Sequence, residues 1–245
     1  RVSTVFEQGI FKEHKSSGLI YSGLYNSSTG VNSLNQFIVA EKITKDINPI
    51  HGSIQKLFSR DTDLIALCED KVLKILANKD ALFNADGNPQ LVASKNVLGQ
   101  TVPFVGDYGI SKNPESFASE SYRAYFSDKT RGSIIRLSKD GLTPISDHGM
   151  KQYFKDNLKN TAKIIGSYDD SKKEYNVKLS YIDTSKDKVV SFKEDVKGWV
   201  SFKSFIQMSH GVSCSNEYYT FASGKLWNHH VEIPDEYTSK INNYN

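Results

Sequence analysis

The sequence is poor in residues that carry covalent or metal chemistry: of 245 residues, only 2 are Cys, 2 Met and 2 Trp. Cys68 and Cys214 stand far apart in the chain, and neither has Cys or His neighbours at zinc-ligand spacing. A disulfide scaffold and a zinc-finger-type site are thereby excluded. A chain this long can bury a core without such staples, so both thiols read as buried or idle. No apolar run approaches the roughly 20 residues that a membrane helix needs, and no charged-then-apolar leader opens the sequence. Charge of one sign is also missing: 31 Lys and Arg against 28 Asp and Glu leave a net +3, spread along the chain. That distribution carries no footprint of a dedicated nucleic-acid binder. The first residue is Arg1 and the closing residues 239–245 are polar, so a fragment of a longer protein is expected.

Aromatic residues are plentiful, with 13 Tyr and 13 Phe, and turn residues punctuate the chain at short intervals, a composition that favours strands. Four hairpins can be read directly. Residues 64–68 and 72–76 flank Glu69-Asp70-Lys71, and residues 122–126 and 133–137 flank a polar run from Ser127 to Gly132. Residues 164–168 and 174–179 flank Asp169 to Lys173, and residues 218–221 and 226–229 flank Ala222 to Lys225. Asp, Ser and Gly supply the turn chemistry in each. The turns recur at irregular intervals of roughly 40 to 60 residues, close to the period of propeller blades. The expected fold is mainly β: antiparallel hairpins forming a degenerate β-propeller or part of one, with a sandwich of unrelated hairpins as the alternative. Residues 1–48 read as strands and loops that complete the propeller, 49–235 as its blades, and 236–245 as a polar tail. One short helix is expected near 147–158, capped by Ser146, with Gly141 and Pro144 forming a turn before it and Met150, Phe154 and Leu158 on one face. Asp80 to Phe83 is a second, very short helical candidate.

Motifs with chemistry are weak. The adjacent acids Asp61 and Asp63, Glu69 and Asp70, and Asp169 and Asp170 fall where turns want Asp for its backbone hydrogen bonds. Asp183 to Asp187 lacks the closing Glu of a calcium loop and reads as a hairpin loop. If His229 and His230 both lie in a strand, their rings point to opposite faces and do not chelate one ion. Gly106-Asp107-Tyr108-Gly109 is a loop without the helix of a phosphate cradle. Lys129, Arg131 and Arg136 form a modest basic cluster that reads as solvated charge at a hairpin tip. No catalytic, metal or cofactor-binding residue is assigned, and an enzyme is not expected.

Three phrases carry a resemblance: Asn113-Pro114-Glu115-Ser116-Phe117, the stretch Tyr122 to Gly132, and Arg136 to Ser146. Gly52 to Phe58, Asp61 to Leu64, Lys79 to Phe83, Gly106 to Ser111, Lys197 to Phe205 and Tyr218 to Thr220 extend it. Together they resemble a large virion structural protein of tailed bacteriophages, seen in marine and cyanobacterial myoviruses and akin to the tail muzzle proteins of crAss-like phages. The resemblance spans about Val5 to His230. It transfers no active-site residue, and members of that family are much longer than this chain.

What the resemblance implies is a non-catalytic module of the tail, neck or baseplate, in a symmetric homo-oligomeric ring with other virion proteins as partners. Arg123, Arg131, Trp199 and Tyr219 are the candidate subunit contacts, because Arg, Trp and Tyr carry most interface energy. The competing expectation is that Trp199 and Tyr219 are core. A second functional reading is a host-surface propeller that binds or hydrolyses glycans, and a third, less favoured, is a soluble interaction hub.

Overall fold

A computed structural model describes residues 14–23, 25–26, 30–37, 43–60, 63–83 and 89–230. The protein is mainly β. Two short antiparallel pairs come first, β1 (Gly18–Ile20) with β4 (Thr44–Asp46) and β2 (Tyr25–Asn26) with β3 (Val31–Asn32). Three four-stranded antiparallel sheets follow. The first holds β5 (Ile54–Arg60), β6 (Asp63–Cys68), β7 (Val72–Phe83) and β8 (Pro89–Pro103). The second holds β9 (Ala118–Glu120), β10 (Arg123–Asp128), β11 (Ser133–Ser138) and β12 (Gly141–Pro144). The third holds β13 (Lys163–Asp169), β14 (Glu174–Ser180), β15 (Lys188–Lys193) and β16 (Gly198–Lys203). A last sheet has three strands, β17 (His210–Cys214), β18 (Glu217–Ala222) and β19 (Lys225–His229). Within each of these four larger sheets, strands adjacent in sequence are adjacent in space.

Strand periodicity explains how these sheets stack. Successive side chains of a strand point to opposite faces, and the inner strands here are apolar on both. On β10, Ala124 and Phe126 join the core shared with Ile65 and Leu67 of the first sheet, while Tyr125 joins the core shared with Tyr175, Val177 and Leu179 of the third. On β11, Ile135 and Leu137 face the first sheet and Ile134 the third. The third sheet turns Ile165 and Val189 the other way, toward Met208 and the last sheet. Sheet on sheet in chain order, each covers the apolar face of its predecessor. The outward face of the first sheet, with Ala66, Cys68, Leu73 and Ile75, is covered by Ile47 and Leu19 from the N-terminal pairs. Among the described residues the sheets form no closed barrel or ring.

The helix α1 (Lys151–Leu158) wedges between the second and third sheets, burying Phe154 and Leu158 at the four-residue step the sequence suggests. Its capping differs from expectation: Met150 is the N-cap residue, without a side-chain bond. Ser146 lies in a 3-10 turn, Ile145–Asp147, and only its carbonyl takes part, accepting from Met150 N–H at 3.2 Å. Gly141 and Pro144 do not form a turn; they bound the edge strand β12, which pairs with β11. Asp80 to Phe83 is the end of β7, not a helix, because pairing with β8 overrides local helical propensity. The expected tail 236–245 lies outside the described residues.

The closest approaches between neighbouring sheets fall at glycines. A Cβ placed on Gly166 of β13 would collide with the carbonyl of Ser116, in the 3-10 turn Pro114–Ser116 that leads into the second sheet, and with the Tyr175 hydroxyl. That hydroxyl donates to the same Ser116 carbonyl at 2.7 Å. The pattern repeats one sheet on: a Cβ on Gly211 of β17 would meet the Tyr218 hydroxyl and Ser167 Oγ, which share a hydrogen bond of 2.7 Å. In each case a glycine of the leading strand and a tyrosine of the second strand meet a polar oxygen, from the turn leading into the previous sheet at Ser116 and from the previous sheet itself at Ser167. Gly109 is pressed in the same way against the Glu69 backbone of the first sheet.

Gly166→Ala should therefore lower the urea midpoint by an amount equivalent to about 1–3 kcal/mol, because backbone atoms rather than a flexible side chain must give way. Gly198→Ala, where the added Cβ finds only Val196 O at 3.7 Å, should stay within about 0.5 kcal/mol. Equal midpoints for the two variants would refute the close approach.

Candidate interaction surface

Several of the acids and bases singled out by the sequence are engaged inside the stack, while Asp70, Asp170 and Asp183 stay exposed. Asp128, at the end of β10, is fully buried, and its carboxylate accepts four hydrogen bonds: from Gly109 N–H at 3.2 Å, Ser111 Oγ at 3.2 Å, Arg131 N–H at 2.9 Å and Arg131 Nη1 at 3.0 Å. A buried carboxylate is tolerated only with such compensation. Arg131 also reaches Asp70 of the first sheet at 3.6 Å. Arg136 pairs with Glu194 of the third sheet, which also accepts from the Tyr125 hydroxyl at 3.2 Å. Lys129 Nζ donates to the Thr161 carbonyl at 2.6 Å. The three bases read as one solvated tip are thus separate ties between sheets, a correction that follows from stacking: hairpin tips of neighbouring sheets lie side by side.

Asp169 behaves like Asp128. It is buried, accepts from Ser171 and Lys172 N–H at 3.0 and 3.1 Å, and binds His230 Nε2 at 2.7 Å. His230 lies just past β19 at φ 64, so strand alternation does not separate it from His229, and the ring centroids are 6.2 Å apart. Each ring has its own partner, however, with His229 Nε2 2.7 Å from Thr220 Oγ1. Among the described residues no three His, Cys, Asp or Glu side chains converge as a metal set. Of the other acids, Asp63 pairs with Lys74 at 2.9 Å, and Glu69 is held below its ordinary value chiefly by the Ser53 hydroxyl. Asp61 lies outside the described residues. Asp183 closes its own turn by accepting from Ser185 N–H at 3.2 Å. Burial pushes the Cys68 thiol up to about 11, while Cys214 is exposed.

The four candidate contacts fall in different places. Trp199 packs between Phe154 and Phe192, with ring centroids 4.5 and 5.3 Å away, and donates from Nε1 to the Ile145 carbonyl at 3.1 Å. Arg123 is half-buried and pairs with Glu120 at 3.2 Å. Arg131 joins the first two sheets, as above. Tyr219 lies on β18 with its hydroxyl bonded to Glu217, on the face turned away from the third sheet.

That face is the candidate surface. The register places His210, Phe221 and Leu226 together, with Val212, Tyr219 and Asn228 beside them. Val212, Phe221 and Leu226 are 46%, 44% and 58% exposed, in contrast to their counterparts in the earlier sheets, which the next sheet buries. Sequence reasoning found Tyr219 but missed Phe221 and Leu226, although both sit in a hairpin it identified. Alternation alone does not say which face of a terminal sheet is free.

The opposite face of the same sheet borders a cleft of about 480 Å³, walled by β18, β19 and the linker Ser204 to Met208. Lys178, buried in an ion pair with Asp187 at 3.1 Å, donates to the Met208 carbonyl at 3.1 Å and fixes that linker. Among the described residues no helix is long and apolar enough to cross a membrane. No family model matches the chain, and no curated protein matches it.

Burial holds the His229 imidazole below its ordinary value, and the neighbouring His230 adds to the effect. A base with a depressed folded-state pKa takes its proton more readily when unfolded. Its neutral form therefore supports full stability above the unfolded value of about 6.5, and stability declines as pH falls through that value. His229→Gln should flatten the loss of thermal midpoint between about pH 7 and pH 5. Parallel declines in variant and parent would show that the fold does not hold His229 neutral.

Proposed function

We propose that the chain is a run of propeller-type blades acting as a non-catalytic structural module of a tailed-phage particle, in its tail, neck or baseplate. The carrying observation is the consecutive series of antiparallel meanders, each docked on its predecessor in chain order, which ends in an exposed apolar face at Phe221 and Leu226. In this reading a sheet of a neighbouring subunit covers that face, as each sheet covers the one before it, and the subunits form a symmetric ring. The phrases that resemble phage virion proteins support the location: Asn113 to Phe117 and Tyr122 to Gly132 lie where the second sheet meets its neighbours on both sides. A non-catalytic role is favoured by the engagement of the acids: Asp128 and Asp169 are consumed by turn and inter-sheet bonds.

The test is mass spectrometry of density-purified virions from cells producing the full-length protein, followed by electron microscopy of the particles. Peptides of this chain should band with the particles at fixed stoichiometry, and density for a further sheet should lie on Phe221 and Leu226. Recovery only in the soluble fraction would overturn the proposal.

A further inference from the structure

The cleft between the third and last sheets has a lining unlike the rest of the surface. Cross-strand pairing puts Trp227 on the same face as Thr220, toward the third sheet, yet Trp227 is 54% exposed. The reason is topological. β19 is the edge strand of a three-stranded sheet, and opposite it runs the linker Ser204 to Met208 instead of a strand, so the indole stands over a gap. Apolar surface of this size is left in water at some cost in stability, and a concave site of this volume falls within the range of small-ligand pockets.

Around the indole stand groups that make neutral hydrogen bonds. Gln207 comes from the linker, Ser223 from the β18–β19 turn, and His229 from β19 with Thr220 holding its Nε2. Phe205 packs its ring 4.6 Å from His229, and the linker is pinned by the Lys178–Asp187 pair. Among the described residues Lys225, exposed at the mouth, is the one Lys or Arg of the lining, and no carboxylate lines the cleft. The acid pair that glycoside hydrolysis requires is therefore not supplied there.

We propose that this cleft binds a pyranose residue of a glycan without cleaving it. The apolar C–H face of a pyranose ring lies flat on an exposed indole, while its equatorial hydroxyls meet Gln207, Ser223 and His229. An aromatic plane with scattered neutral donors and acceptors suits that amphipathic shape. A nucleotide is a poorer match, because a single lysine offers little to a phosphate chain. The inference goes beyond the structural role and stands independently of it, since it rests on the cleft alone.

The experiment is a glycan array carrying bacterial surface polysaccharides and their oligosaccharides, probed with the chain labelled at the exposed Cys214, which lies on the far face of the sheet. At least one pyranose-containing glycan should be retained, with a dissociation constant on the order of 0.1–1 mM for the free oligosaccharide. Trp227→Ala should lower retention at least tenfold, and Trp227→Phe should keep a fraction of it. Gln207→Ala, on the linker, serves as a second variant, and thermal melts of all three must match the parent for their loss to count. An array blank for the parent would overturn the proposal. Retention unchanged by both Trp227→Ala and Gln207→Ala would overturn it as well.

Discussion

Where neighbouring sheets meet, three glycines come so near the adjoining element that one methyl group has no room. Gly166 lies against the Ser116 carbonyl, Gly211 against Ser167 Oγ and Gly109 against the Glu69 backbone. Such an approach leaves backbone polar groups away from water, and each must be satisfied. The Tyr175 hydroxyl serves the Ser116 carbonyl, and the Tyr218 hydroxyl serves Ser167. Burial in these positions raises both phenols, Tyr218 to about 12, which favours their protonated form. Everything farther out along the strands inherits its position from these contacts. The cores around Tyr175 and Phe126 interdigitate beside these contacts.

At the hairpin tips the same closeness turns charge into structure. Asp128 would be costly in isolation, yet four hydrogen bonds converge on it, and losing them together would strand a buried anion. Asp169 has the equivalent role at the next junction, drawing His230 and the end of β19 onto the third sheet. These ties give directional bonds to an apolar stack that would otherwise slide. They also explain why the fold can leave the last sheet open: Tyr218, Met208 and His230 fasten its inner face, whatever covers the outer one.

Much of this was legible in the sequence. All four hairpins could be read because polar turns separate runs of β-branched and aromatic residues, and the helix because Phe154 and Leu158 keep a helical step. The edge strands β9, β12 and β16 were harder: they are short or half-polar, and the pairing that defines them is set by the neighbouring strand rather than by their own residues. Asp80 to Phe83 misled for that reason. The basic residues misled because a sequence does not reveal that the tips of successive sheets touch. The repeated meeting of glycine and tyrosine was visible only as ordinary letters, Gly166 with Tyr175 and Gly211 with Tyr218, spaced by turns of different length. Trp227 gave no sign of its exposure, since its pairing puts it on the same face as the buried Thr220.

The central claim is that the tyrosine hydroxyls at the leading strands hold successive sheets together, and the most direct measurement is urea unfolding of Tyr175→Phe, Tyr218→Phe and the double variant. Each substitution keeps the ring and removes one hydrogen bond, and the account predicts losses of about 1–2 kcal/mol apiece, adding in the double variant because the two junctions are separate. Three unfolding curves that superimpose on the parent would contradict it.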